Sequence, residues 1–516
     1  MPLNSLIEYG SLLGRSYISG GIFHGAGILC SGVILLFISK CFYNLWLHPA
    51  RAYPGPFLGR ATRLYFTYYR ISGQLEFKTK ELHDRYGLVF RIAPNELSYN
   101  GGTAWEDIYG HRSKKRPNAN LAKDPHFYIG ATAPNGEKNL GASADQDHTR
   151  IRSVLSNAFS ERALYAQEGM ITNEILKLIM KLRETGAKPT NAVRWMHHIV
   201  WDIITSLTFG ESANALNCPD WHPQARLVFE GIREGVSLIE ILRFVPFKHF
   251  CLRILMLAFG AARMQNFNMS VQRLEDRMGK KDIETPDFMS YILRANETEK
   301  ELTTSEITAN CALLLDAGSE TTATMLSGCL FYLLKNQKCM AHLTEILRTT
   351  YEQDTDMDSK SLARLPYLQA ILEESMRMYM PLPFTLPRKT TREGAWICGR
   401  HVPPAMTVGV NQYSACRAEE NFQDPDSFKP ERWLDDSTFP NDKRNTFQPF
   451  SNGPRNCLGK SLAYAELRLI ISHILWNFDL NLSPESQNWH AVQKTWSLWQ
   501  KPDLYISFIP RKGSKC

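Results

Sequence analysis

Near the carboxyl end, the stretch FQPFSNGPRNCLGKSLAYAELRLIISHILW sets Cys457 in a Gly- and Pro-rich loop just ahead of a helical pattern that starts around Leu458. A thiolate placed there faces the positive end of a helix, which favours ionised sulfur and metal binding. Gly453 and Gly459 allow close approach of the backbone and a flat macrocycle, and Arg455 offers a cation to an acidic cofactor edge. A second group is Asp316-Ala317-Gly318-Ser319-Glu320-Thr321-Thr322, where Glu320 carries a carboxyl and Thr321 a hydroxyl within a helical pattern. A third is Glu374-Ser375-Met376-Arg377, whose charged ends at i and i+3 share a helix face and can pair. Taken singly, each has an ordinary reading: a packed cysteine, a helix with small residues for close packing, and a surface ion pair.

The elements that must hold these residues are mostly helical. Apolar residues recur at helical spacing over 225–245, 303–336 and 365–379. The second of these opens on a Thr303 to Glu306 capping box and is long and apolar enough to pass through the middle of the molecule. Strand patterns are short and local, at 88–99, 395–403, 406–410 and 504–510. No repeat or linker interrupts 60–516, so the expectation is one mainly α domain with a small β region, of the α+β class.

Bulk properties narrow the function. The 516 residues carry a formal net charge of +7 without a long basic run, which argues against nucleic acid as partner. Eleven cysteines, odd in number and never in a C-x-x-C pair, argue against a disulfide framework and against zinc. From Gly20 to Ser39 no Asp, Glu, Lys or Arg occurs, enough apolar helix to cross a bilayer. Lys40, Arg51, Arg60 and Arg63 follow it, and Arg15 precedes it, so the basic bias places the body in the cytosol. The expected order is a short lumenal segment (1–19), a single transmembrane anchor (20–39), a proline-rich hinge (40–59) and the body (60–516).

Phe450-x-x-Gly453-x-Arg455-x-Cys457-x-Gly459 resembles the haem-binding signature of the cytochrome P450 family, and further segments of that family stand in the right order. Glu374 and Arg377 resemble its E-x-x-R element, and Phe428-Lys429-Pro430-Glu431-Arg432-Trp433 its F-x-P-E-R segment, whose Arg432 would complete an ion-paired cluster. The segment 316–322 resembles the oxygen-activation segment, implying Glu320 and Thr321 as the acid and alcohol of proton delivery. Asp147 to Arg152 resembles the haem-propionate helix, with His148 and Arg152 as propionate partners, Arg152 the safer, and Arg388 a weaker one. The resemblance implies a P450-like fold, haem b with Cys457 as axial iron ligand, and electrons from NADPH through NADPH-cytochrome P450 reductase. Exposed cations among Lys429, Arg432, Lys443, Arg444, Arg455 and Lys460 would dock that reductase.

The implied activity is hydroxylation or epoxidation of a lipophilic small molecule held by 100–135, 205–255, 380–388 and the stretch near Trp496 to Trp499. Likeness to fungal secondary-metabolism enzymes suggests a terpenoid, polyketide or alkaloid, and the endoplasmic reticulum membrane as location. Two rivals stand beside it. One is a reductase-independent haem-thiolate isomerase or dehydratase, a class that tends to lose the acid and alcohol pair. The other is a non-catalytic membrane haem-binding protein.

Overall fold

The computed structural model describes residues 27–117, 119–244, 260–280, 286–296, 302–435 and 437–511. The expected lumenal segment, the first part of the anchor and 245–255 of the expected substrate wall lie outside them.

Helices build most of the body. The longest, Thr304–Lys335, is capped as its sequence predicts: the Thr303 hydroxyl accepts from Glu306 N–H, and the Glu306 carboxylate accepts from Thr303 N–H. At about 1.5 Å per residue it is roughly 48 Å long. From Thr322 to Leu334 every residue is buried, so this stretch runs through the core rather than along it. It packs against Ala192–Phe209, a helix buried at nearly every position that ends where Gly210 adopts the left-handed conformation. Gly318 sits at that crossing. A Cβ there would stand 2.8 Å from the Cδ1 of Ile204, so the absent side chain is what lets the two helices approach.

Among the described residues, the strand-like stretches and several further short strands form four small sheets. In the five-stranded one, Val89–Ala93 and Glu96–Tyr99 make an antiparallel hairpin. Glu96–Tyr99 then runs parallel to Thr407–Val410, which is followed by Arg388–Lys389 and Ala122–Lys123. The register of the last pair puts Lys123 directly opposite Arg388. Like charges so placed repel.

The apolar helix runs from Gly27 to Leu47, past the expected end at Ser39, its last turn wound as a π-helix. The protein covers only 6% of its most apolar window. The proline-rich segment behind it is bonded to the body rather than loose. Tyr53 OH donates to His401 O, Arg91 N–H donates to Pro54 O at 2.7 Å, and Arg91 Nη1 donates to Asn44 O. Prolines stiffen a chain, but these long-range bonds come from segments far apart in sequence.

Candidate active site

The loop before the helix Lys460–Asn477 is closed by backbone bonds from Cys457 N–H to Phe450 O at 2.9 Å and from Asn456 N–H to Gly453 O at 3.1 Å. Gly453 has φ +75°, and a Cβ there would come within 2.0 Å of Tyr109 O, so no other residue fits. Gly459 is less constrained by the protein, since a Cβ would meet only Phe159 at 3.8 Å. The helix begins at Lys460 rather than Leu458, and the Gly459 N–H reaches the sulfur. The Cys457 side chain is exposed. Burial outweighs the Gly459 N–H, Arg152 and Lys460, and pushes the thiol up.

Behind the loop lies a closed set of charges. Arg377 donates from Nε and Nη2 to the two oxygens of Glu374, each at 2.8 Å, and from Nη1 to Cys416 O and Pro425 O. Glu374 also accepts from Arg432 Nε at 3.1 Å, Trp433 Nε1 at 2.9 Å and Lys429 N–H at 2.8 Å. Arg432 turns its other edge to Asp442, a partner the sequence did not reveal. All four side chains are fully buried. Burial alone would raise the Glu374 pKa, but Arg377, Arg432 and the Lys429 N–H hold it below the ordinary value. Burial of Arg432 and near-burial of Arg455 remove both from the expected reductase-facing set, and Lys429 pairs with Asp424. Lys443 and Lys460 stay exposed.

On another side the balance is different. Lys123, Arg388, Arg455 and His148 gather around Asp145, which accepts from Arg455 Nη2 at 2.8 Å and lies 3.5 Å from Arg112. Two buried atoms, Arg388 Nε and Arg455 Nη1, have no hydrogen-bond partner among the described residues. Burial, with Arg455 and Arg388 nearby, pulls Lys123 down to about 7. Burial, with Arg455, Lys123 and Arg152, pulls His148 down to about 3. Buried charge is ordinarily paired, so this excess of cations fits a group carrying carboxylates, such as the propionate edge of a haem. Arg152 is committed to Asn456, donating to its carbonyl at 2.8 Å and its side chain at 2.6 Å, and so braces the cysteine loop. Arg388 and Arg455 keep unmatched donors, and Lys123, whose ammonium donates to Gly141 O, stands beside them with no local signal in the sequence.

Along the central helix, Glu320 and Thr321 do not meet. Adjacent helical residues point about 100° apart, so they cannot share a face. Thr321 is half-buried on the side where Ala317 is exposed, and its hydroxyl donates to Ala317 O at 2.6 Å. Glu320 is buried on another side, where it accepts from Lys501 Nζ and from Thr324 Oγ1 at 3.2 Å, with His197 Nε2 at 3.3 Å. Burial and the Lys501 charge hold His197 far below the usual imidazole range, so it is neutral there. The i, i+4 spacing of Glu320 and Thr324 was a readable sign of this second face, whereas Lys501 and His197 were not readable. The helix stays regular through this segment, so the threonine back-bond does not break it.

The family model described as Cytochrome P450 matches residues 49–508. The chain is 53% identical to the fusicoccadiene 8-ol C-16-hydroxylase of Phomopsis amygdali, over 94% of this chain and 93% of that one. It is 52% identical to the fusicoccadiene 8-ol C-16 hydroxylase of Alternaria brassicicola, over 91% and 94%. Among solved structures, a cytochrome P450DA heme domain superposes with a TM-score of 0.72 at 17% identity. The match covers 86% of this chain and 95% of that one, and at such identity it shows the fold alone.

Proposed function

The chain belongs to the cytochrome P450 family and is a haem-dependent monooxygenase, and from that premise we propose that it hydroxylates fusicoccadiene 8-ol or a lipophilic alcohol like it. The observation that carries the substrate class is the 53% identity, over nearly the whole length of both chains, to a hydroxylase of that compound.

In this reading Cys457 ligates the haem iron, while Arg388, Arg455, Lys123 and His148 hold the propionate edge. Haem so bound supplies the oxygen-activating chemistry, with electrons from NADPH delivered through NADPH-cytochrome P450 reductase. The chain's own residues do the rest. Arg152 fixes Asn456 and with it the loop carrying the ligand. Phe450 packs on Tyr464 with ring centroids 5.1 Å apart, which supports the loop from below. Thr321 presents a hydroxyl on the open side of the central helix, suited to passing protons. Glu320 is ion-paired to Lys501 and must leave it to serve Thr321. Gly27–Leu47 anchors the enzyme in the endoplasmic reticulum membrane with its body in the cytosol, and exposed Lys443 and Lys460 meet the reductase.

The test is incubation of the full-length enzyme with fusicoccadiene 8-ol, a P450 reductase, NADPH and isotopically labelled dioxygen. One labelled oxygen atom per product, formed only with NADPH, is expected. Product formed without NADPH, or carrying no label, contradicts the monooxygenase reading, and absence of any product contradicts the substrate class.

A further inference from the structure

A pocket of about 340 Å³ opens where the apolar helix meets the body. Its wall includes Lys40, Arg63, Arg243 and Lys389, and among the described residues no Asp or Glu lines it. Apolar lining comes from the helix itself, through Phe37, which is exposed, and Cys41. The carboxylates that balance these cations stand behind the wall. Arg63 bridges Glu96 and Glu240 at 2.7 Å each, Arg243 lies 3.2 Å from Glu240, and Lys389 lies 3.7 Å from Asp124. Lys40 forms no ion pair among the described residues and rests over the Tyr43 ring at 5.2 Å. The basic wall thus faces inward to the pocket with one cation uncompensated, beside an apolar track along the helix.

We propose that this pocket binds the phosphate head group of an anionic phospholipid, the acyl chains running along Phe37 into the bilayer. The proposal rests on the reading that Gly27–Leu47 crosses the membrane, since that puts Lys40 at head-group depth on the cytosolic side. A cation near such a surface contributes enough that its removal weakens binding about fivefold.

Native mass spectrometry of the full-length chain in detergent tests it, with titration by phosphatidic acid, by phosphatidylcholine and by inorganic phosphate. One phosphatidic acid per chain is expected, bound about fivefold or more tighter than phosphatidylcholine. Lys40→Ala and Lys389→Ala should each weaken it about fivefold, and Lys338→Ala, an exposed residue of another helix, should not. Lys389 lies in the sheet, so its variant reports on the pocket even if Lys40→Ala inserts poorly. Equal binding of phosphatidylcholine, or equal loss in Lys338→Ala, overturns the proposal. Displacement of the lipid by an equimolar amount of inorganic phosphate overturns the lipid assignment in favour of a free phosphate. The readout needs neither haem nor reductase, so its failure leaves the monooxygenase reading untouched, and failure of the hydroxylation assay leaves this result standing.

Discussion

Two buried groups of charge flank the cysteine loop, one around Glu374 and one around Arg388. In the first, two guanidiniums face two carboxylates, and Glu374 accepts from Arg377, Arg432, Trp433 and Lys429. In the second, Lys123 stands opposite Arg388 across a sheet, and Asp145 is half exposed. Burial makes unpaired charge expensive, so a fold keeps a closed set for its own stability and an open set only where something else completes it. In the proposed reading, that difference separates scaffold from haem contact without any appeal to residue type, since both groups are built on arginines.

The largest expected effect breaks the closed set. Glu374→Ala leaves Arg377 buried with no carboxylate and Arg432 with Asp442 alone, and should lower the unfolding free energy of the haem-free chain by about 3–5 kcal/mol in a denaturant titration. Arg388→Met, in the open set, should do the opposite of what a buried salt bridge would. Stability of the haem-free chain is expected to stay level or rise, while haem affinity in a titration falls by about tenfold. A loss of stability equal to that of Glu374→Ala would erase the distinction between the two regions.

A smaller effect is set by pH. Lys123 has a folded pKa of about 7 against 10.5 unfolded, so between those values the unfolded chain binds more protons. Stability of the haem-free wild type should therefore rise with pH from about 7 towards 10.5 relative to Lys123→Met. Carboxylates bound beside Lys123 would raise its pKa and flatten that rise in the haem-loaded protein. Thermal unfolding at stepped pH, with and without haem, gives the comparison, and parallel curves for wild type and variant would rule out Lys123 as a member of the open set.

Local patterns in the sequence were enough for the cysteine loop, the Glu374 and Arg377 pair, the capping box at Thr303 and the short strands, because each is set by residues within a turn or two of one another. Asp442 beside Arg432, Lys123 beside Arg388 and Lys501 beside Glu320 were not legible. The last pair is separated by nearly the whole carboxyl half of the domain, and only packing brings them together. Glu320 and Thr321 are adjacent in sequence, but their resting partners, Lys501 and Thr324 for one and Ala317 O for the other, depend on which side of the helix each faces. Arg152 could be placed near the haem site by resemblance, but its commitment to Asn456 depends on how the loop folds over it.

The most direct test of the account is the carbon monoxide difference spectrum of the reduced, haem-supplied full-length protein in membranes, for wild type and Cys457→Ala. The red-shifted band of thiolate ligation in wild type, absent from the variant, is the predicted result. Persistence of that band in Cys457→Ala, or its absence from folded wild type, would contradict Cys457 as the axial ligand.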